Sequence, residues 1–198
     1  MRWIATALVI ALSPLSGCGA ISSLSKAGAE LDAYTLTPAR STGAPAGGSA
    51  HLIVELPSTA GALATDRILI KPVPYQAQYL PDGRWSEPAP ALLQTLLVAS
   101  FQNLGGFGLV GRTANGLKPD YTLMTELQDF QVEPAGPEFV IRISMMMTLI
   151  RESDRRIVGS RRFSSATTVG SDDTRTLVAA FDSAMQGLLQ DIVLWTAR

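Results

Sequence analysis

The chain has 198 residues, with 16 basic and 17 acidic side chains and a formal net charge of −1, a balance that argues against nucleic acid as a partner because such binding asks for a concentrated positive field. Its single cysteine excludes an internal disulfide framework, so stability has to come from apolar packing, for which 46% apolar residues suffice. Only 17% of residues are charged, which leaves apolar or small-residue surface for contact with a partner.

Arg2 precedes an apolar run, Trp3 to Leu12, and Leu15-Ser16-Gly17-Cys18 follows. A basic start, a short apolar core and small residues at the cut have the layout of a secretory signal peptide. The run falls short of the roughly 20 apolar residues that span a bilayer. The four residues resemble the lipobox of bacterial lipoproteins, in which the thiol receives a diacylglyceryl group and becomes the new N-terminus. That resemblance makes residues 1–17 a signal peptide, Cys18 the lipidation site and acyl chains the membrane anchor. One chain holds a protein marginally, and a second makes attachment stable. Two plainer readings stay open: a short core helix with a buried thiol, and an ordinary cleaved signal peptide. Gly19 stands where an aspartate would resemble an inner-membrane retention signal, which favours the outer membrane, facing the periplasm. The Gly-, Ala- and Ser-rich stretch to Glu30 reads as a tether, so residues 18–30 are a lipidated flexible segment of at most about 45 Å. Residues 31–198 then form a single domain.

Tyr34-Thr35-Leu36 is a short β-prone segment, and Thr37 to Ala50 has the composition of a long, flexible hairpin-type loop. His51 to Leu56 and Arg67 to Lys71 read as strands stopped by Pro57 and Pro72. Pro81-Asp82-Gly83 reads as a turn between Tyr75–Tyr79 and Arg84–Trp85, hence a hairpin. Pro88 and Pro90 lead into a helix from about Ala89 to Leu104, with a stripe of Leu93, Leu97, Ser100/Phe101 and Leu104, ended by Gly105-Gly106. Leu109 to Arg112 is a short strand. Tyr121 to Gln128 alternates with period two. Phe139 to Ile150 puts Phe139, Ile141, Ile143, Met145, Met147 and Leu149 on one face. A turn at Ser153-Asp154 leads to the antiparallel partner, Arg156 to Thr168, with Ile157 and Phe163 as candidates for the core side. A helix from about Asp172 to Thr196, capped by Ser171, carries Leu177, Phe181, Ala184, Leu188, Ile192 and Trp195 as one stripe. The expected fold is α+β: a mostly antiparallel sheet with two main helices packed on one face.

Little in the chain points to catalysis. Gly106-Phe107-Gly108-Leu109-Val110-Gly111 matches GxGxxG, but a dinucleotide site needs a strand before the glycines and a helix after them, and here the order is reversed. His51 is the only histidine and no nucleophile stands in a GxSxG elbow. One histidine and no free cysteine leave no ligand set for a zinc or iron site. The reading is therefore no catalytic residues, no cofactor and no metal. The arginines Arg151, Arg155, Arg156, Arg161 and Arg162, interrupted by Glu152 and Asp154, read either as a solvated hairpin end or as a docking surface for an acidic partner or anionic headgroups.

The order of features resembles the ABC-type transport auxiliary lipoprotein family over about Leu31 to Trp195. The marks are Tyr34-Thr35-Leu36, Arg67-Ile68-Leu69-Ile70-Lys71, and Trp85-Ser86-Glu87-Pro88, which is similar to the family's Trp-Ala-Glu-Pro box. Leu127-Gln128-Asp129-Phe130, the strand pair joined at Ser153-Asp154 and the helix ending in Trp195 complete them. Serine replaces alanine at position 86. The resemblance implies a non-catalytic outer-membrane lipoprotein serving an MCE-type ABC transport system that moves phospholipid or other hydrophobic molecules, docked to a periplasmic MCE-domain protein. Trp85, Glu87, Arg155 and Arg156 are the candidate partner contacts, and a second copy of the chain is a further candidate partner. For the tryptophan box a structural reading competes, with Ser86 capping the helix, Glu87 in its first turn and Trp85 packed against apolar neighbours. Two other functions compete: a lipoprotein that itself binds a lipid between sheet and helices, and a scaffold for outer-membrane assembly.

Overall fold

The computed structural model describes residues 31–40, 47–112 and 118–197. The strands are β1 (Asp32–Tyr34), β2 (His51–Val54), β3 (Ser58–Thr59), β4 (Arg67–Ile70), β5 (Gln78–Trp85), β6 (Leu109–Gly111), β7 (Tyr121–Ala135), β8 (Glu138–Arg151) and β9 (Arg156–Val169). The helices are α1 (Ala89–Leu104) and α2 (Thr174–Thr196).

Everything pairs around β7. On one side β8 runs antiparallel to it along its whole length, and β9 runs antiparallel to β8. On the other side β2, β3 and β4 lie end to end, each parallel to a different part of β7. The long meander carries most of the ladder, so the sheet is mostly antiparallel, with short parallel additions. β6 extends the β2 end, and β5 and β1 extend the β4 end. Both helices pack on the apolar face and meet in one continuous core, giving the expected α+β fold.

The residues explain the packing. In α1, Leu93, Leu97, Ser100, Phe101 and Leu104 are buried, with Leu92 and Leu96 beside them. In α2 the buried stripe is Leu177, Phe181, Leu188 and Ile192, widened by Met185, Leu189 and Val193. Facing them, β8 presents Ile141, Ile143, Met145, Met147 and Leu149. Each such side chain contributes about 1.5–3 kcal/mol when fully buried.

Several local expectations are corrected. Pro81-Asp82-Gly83 is not a turn: β5 runs through it as one strand. The stretch bulges against β4, whose register skips between Arg67 and Leu69, and a bulge is where a strand tolerates a proline. Gly83 serves close approach instead, since a Cβ there would stand 2.7 Å from Thr174 Cγ2 and 2.9 Å from Tyr34 Cε2. The stretch after Leu36 is not a hairpin loop, because β1 pairs with β5 and β2 with β6 and β7. Within it Ala39 is fully buried, its N–H donates to Ser100 Oγ and its carbonyl accepts from Asn103 Nδ2. Ile157 is 65% exposed. A bulge between Leu149 and Ile150 shifts the pairing so that Ile157 faces away from the helices, while Phe163 stays buried. The cap of α2 is Asp173, whose carboxylate accepts from the Thr176 N–H at 2.9 Å; Ser171 Oγ accepts from the Asp173 N–H one turn earlier.

Candidate interaction surface

Leu15, Ser16, Gly17 and Cys18 lie outside the described residues, as does the rest of the segment before Leu31.

Trp85 ends β5 and is fully buried. Its ring centroid lies 5.3 Å from those of both Phe130 and Phe181, and the two phenylalanines are 5.0 Å apart. This aromatic cluster fills the space between β7 and α2, so Trp85 presents no surface to a partner and takes the packing role. Ser86 does not cap α1. Its N–H donates to the Tyr34 carbonyl at 2.6 Å, Pro88 is the N-cap residue without a side-chain cap, and the Ala89 N–H donates to the Thr65 carbonyl. Glu87 is half-buried and forms no ion pair among the described residues. The box is thus held by backbone hydrogen bonds to β1 and to the turn before β4.

The glycines after α1 serve its C-terminus. Gly105 has φ 78° and its N–H donates to the Phe101 carbonyl at 2.9 Å, so the order is helix, turn, strand. His51 opens β2; its N–H donates to Asp120 Oδ2 at 2.7 Å, and the Asp120 N–H donates to its carbonyl.

The β8–β9 hairpin brings the arginines together. Arg151 donates from Nε and Nη2 to the two oxygens of Asp154 at 3.1 and 2.8 Å. The Arg151 guanidinium and the Arg156 N–H hold the Asp154 carboxyl below the usual carboxylate range, and Asp154 in turn raises Arg151. Glu152 does not join the pairing, because its carboxylate accepts from the Thr122 hydroxyl. Arg156 is 79% exposed and reaches Asp154 only at 4.0 Å. Arg161 stacks over Phe163 at 4.8 Å. Arg155 and Arg162 are exposed and make no ion pair among the described residues. Arg155 sits at φ 54°, the left-handed region that a side chain such as arginine rarely enters. Beside this tip an open cleft of about 860 Å³ is lined by Lys118, Asp120, Tyr121, Arg151, Glu152 and Arg155. Of the four candidate contacts, Arg155 and Arg156 are therefore adjacent and exposed, Glu87 lies elsewhere, and Trp85 is interior.

A second polar constellation lies on the sheet face away from the helices. Gln131, almost fully buried, donates to Asp129 and Glu133, and Arg142 donates to Glu133 at 2.9 Å. Period-two reading that stops at Gln128 misses it, because the bulge between Leu127 and Asp129 moves the following residues to the opposite parity.

Residues 34–193 match the model of the ABC-type transport auxiliary lipoprotein component, and the chain belongs to this family. A crystal structure of a Xanthomonas campestris protein of the DUF330 family model is 29% identical, covers 85% of this chain and 95% of its own, and superposes with a TM-score of 0.76. A further crystal structure, of an uncharacterised protein, is similar in fold at 20% identity and TM-score 0.63, covering 85% of this chain and 98% of its own. An uncharacterised protein of Bradyrhizobium diazoefficiens is 27% identical over 148 residues, which is 75% of this chain, while the matched stretch spans 40% of that longer relative.

Proposed function

We propose that the protein is a non-catalytic lipoprotein subunit of an MCE-type ABC transport system. In this reading it is anchored through acyl chains on Cys18 to the periplasmic face of the outer membrane. There it docks a periplasmic MCE-domain protein that moves phospholipid or another hydrophobic molecule between the membranes. The match of residues 34–193 to the auxiliary lipoprotein family carries the reading, and Leu15-Ser16-Gly17-Cys18 supplies the attachment. The interior favours a docking body over a lipid container. The space between sheet and helices that a bound lipid would need is filled by Trp85, Phe130 and Phe181.

Two measurements test it. Cys18→Ala should move the full-length protein from the membrane fraction to the soluble fraction, and retention on the membrane overturns the anchor. Purification of the tagged full-length protein from solubilised envelopes should return an MCE-domain protein in stoichiometric amount. Return of a β-barrel or assembly component, or of a stoichiometric lipid with no such protein, overturns the transport role.

A further inference from the structure

β9 is paired on one side only. It registers with β8 from Arg156 to Val169, and among the described residues no other strand lies against its second edge. An edge of this kind presents a row of unpaired N–H and C=O groups, a template for an added strand. At 14 residues it is long for an edge and contains no proline.

Its charge is one-sided. From Arg155 to Ser171 the sequence holds four arginines and no acidic residue, in a chain whose overall balance is close to neutral. Edge charges commonly keep like strands apart. A second copy pairing β9 to β9 would bring two basic, acid-free strands together, so the charge disfavours self-pairing and favours an acidic strand. Arg161 registers with Met147 and Arg162 with Met146, so their side chains leave opposite faces of the sheet. An added strand would therefore meet them with neighbouring acidic residues, one for each face. At the tip, Arg155 holds a left-handed backbone where glycine or asparagine is the low-strain residue. Residues held in this way cluster at ligand clamps and other functional sites.

We infer that the free edge of β9 and the tip at Arg155 take an extended acidic segment of a partner protein as an added strand, with carboxylates meeting Arg155, Arg156, Arg161 and Arg162. This deepens the docking role and rests on it only for the partner's setting. The edge and its charge stand without it.

The test titrates a fluorescein-labelled peptide of Thr and Val around a central Glu-Glu pair into the full-length protein in detergent. Saturable binding is expected, weaker by about tenfold or more when alternate peptide amides are N-methylated, when Glu-Glu becomes Lys-Lys, and in the R161E/R162E variant. Arg155→Gly, which relieves the backbone, should keep the thermal midpoint and still weaken binding severalfold, so a readout remains if the double variant folds poorly. Equal affinity for the N-methylated peptide would mean charge attraction without a ladder and overturns the inference. So does binding to phosphatidylglycerol vesicles but not to the peptide, or a concentration-dependent dimer that buries β9. Failure here leaves the Cys18 fractionation and the envelope purification untouched, since neither depends on β9.

Discussion

The Thr37 N–H donates to Asp182 Oδ1 at 2.6 Å, and the Thr37 hydroxyl lies 2.9 Å from both oxygens of the same carboxylate. Gln186 completes the clasp by donating from Nε2 to Thr37 Oγ1 and to Asp182 Oδ2. The pair spans almost the whole domain in sequence and straps the segment after β1 onto α2. Hydrogen bonds to a charged group are worth about 1.5–3 kcal/mol. Asp182→Ala should lower stability by that order in urea unfolding and speed tryptic cleavage after Arg40. An unchanged midpoint would show that the buried Ala39, not the clasp, holds the strap.

Trp85→Ala empties the centre of the Phe130–Phe181 cluster. Aromatic-to-alanine changes in cores cost about 3–5 kcal/mol, and a loss of that size is expected in chemical denaturation. Glu87→Ala, two residues away on a half-exposed side chain, should change stability by no more than about 0.5 kcal/mol. If both variants behave alike, the packing role given to Trp85 is wrong.

Gly83→Ala tests the reading of β5 as a continuous strand. The new methyl meets Thr174 and the Tyr34 ring at distances real Cβ atoms do not adopt, and overpacking costs about 1–3 kcal/mol. Thermal melts should show a clear fall in the midpoint. Thr174→Ser in the same chain, by removing the nearest of those atoms, should recover part of it.

Glu133 gives a pH dependence with a definite sign. Burial raises its carboxyl pKa, but the hydrogen bonds from Gln131 and Arg142 and the charges of Arg142 and Lys71 outweigh burial, and the net shift is downward. A carboxyl with a lowered folded pKa contributes stability that is complete above its unfolded value, about 4.3, and is lost as pH falls through the folded value. Melts of the native chain and Glu133→Gln should therefore differ most near neutral pH and converge under acid. A difference that grows on acidification would contradict this.

Much of the fold is legible in local pattern. The stripe from Leu93 to Leu104 locates α1, and the alternation from Ile141 to Leu149 locates both the core face of β8 and its antiparallel partner. What escapes is set by distant residues or by a change of parity. Pro81-Asp82-Gly83 carries turn residues, but β1 and β4 flank it and hold it extended. Thr37 and Ala39 sit in a loop-like composition, and only Asp182, Ser100 and Asn103 reveal them as ordered. The bulges at Gln128 and near Ile157 each flip the inward face, which ends one strand too early in the sequence and sends Ile157 to the wrong side. Of the interaction surface, the arginines are visible in the sequence. The open edge beneath them is not, because a free edge depends on which strand fails to arrive.

The arrangement of β2, β3 and β4 along one side of β7 also sets an order in time. Each is synthesised long before its partner segment of β7; Leu52, for example, registers with Tyr121. Pairings this distant in sequence form slowly, because loop closure comes before any gain from contact. The β7–β8–β9 meander needs only short hairpin connections and lies late in the chain. A chain threaded N-terminus first thus completes its sheet backwards: the apolar His51–Val54 waits unpaired for β6 and β7, and Arg67–Ile70, paired with β5 on one edge, waits for β7 on the other. Folding intermediates with those two segments exposed are where aggregation of this protein would begin.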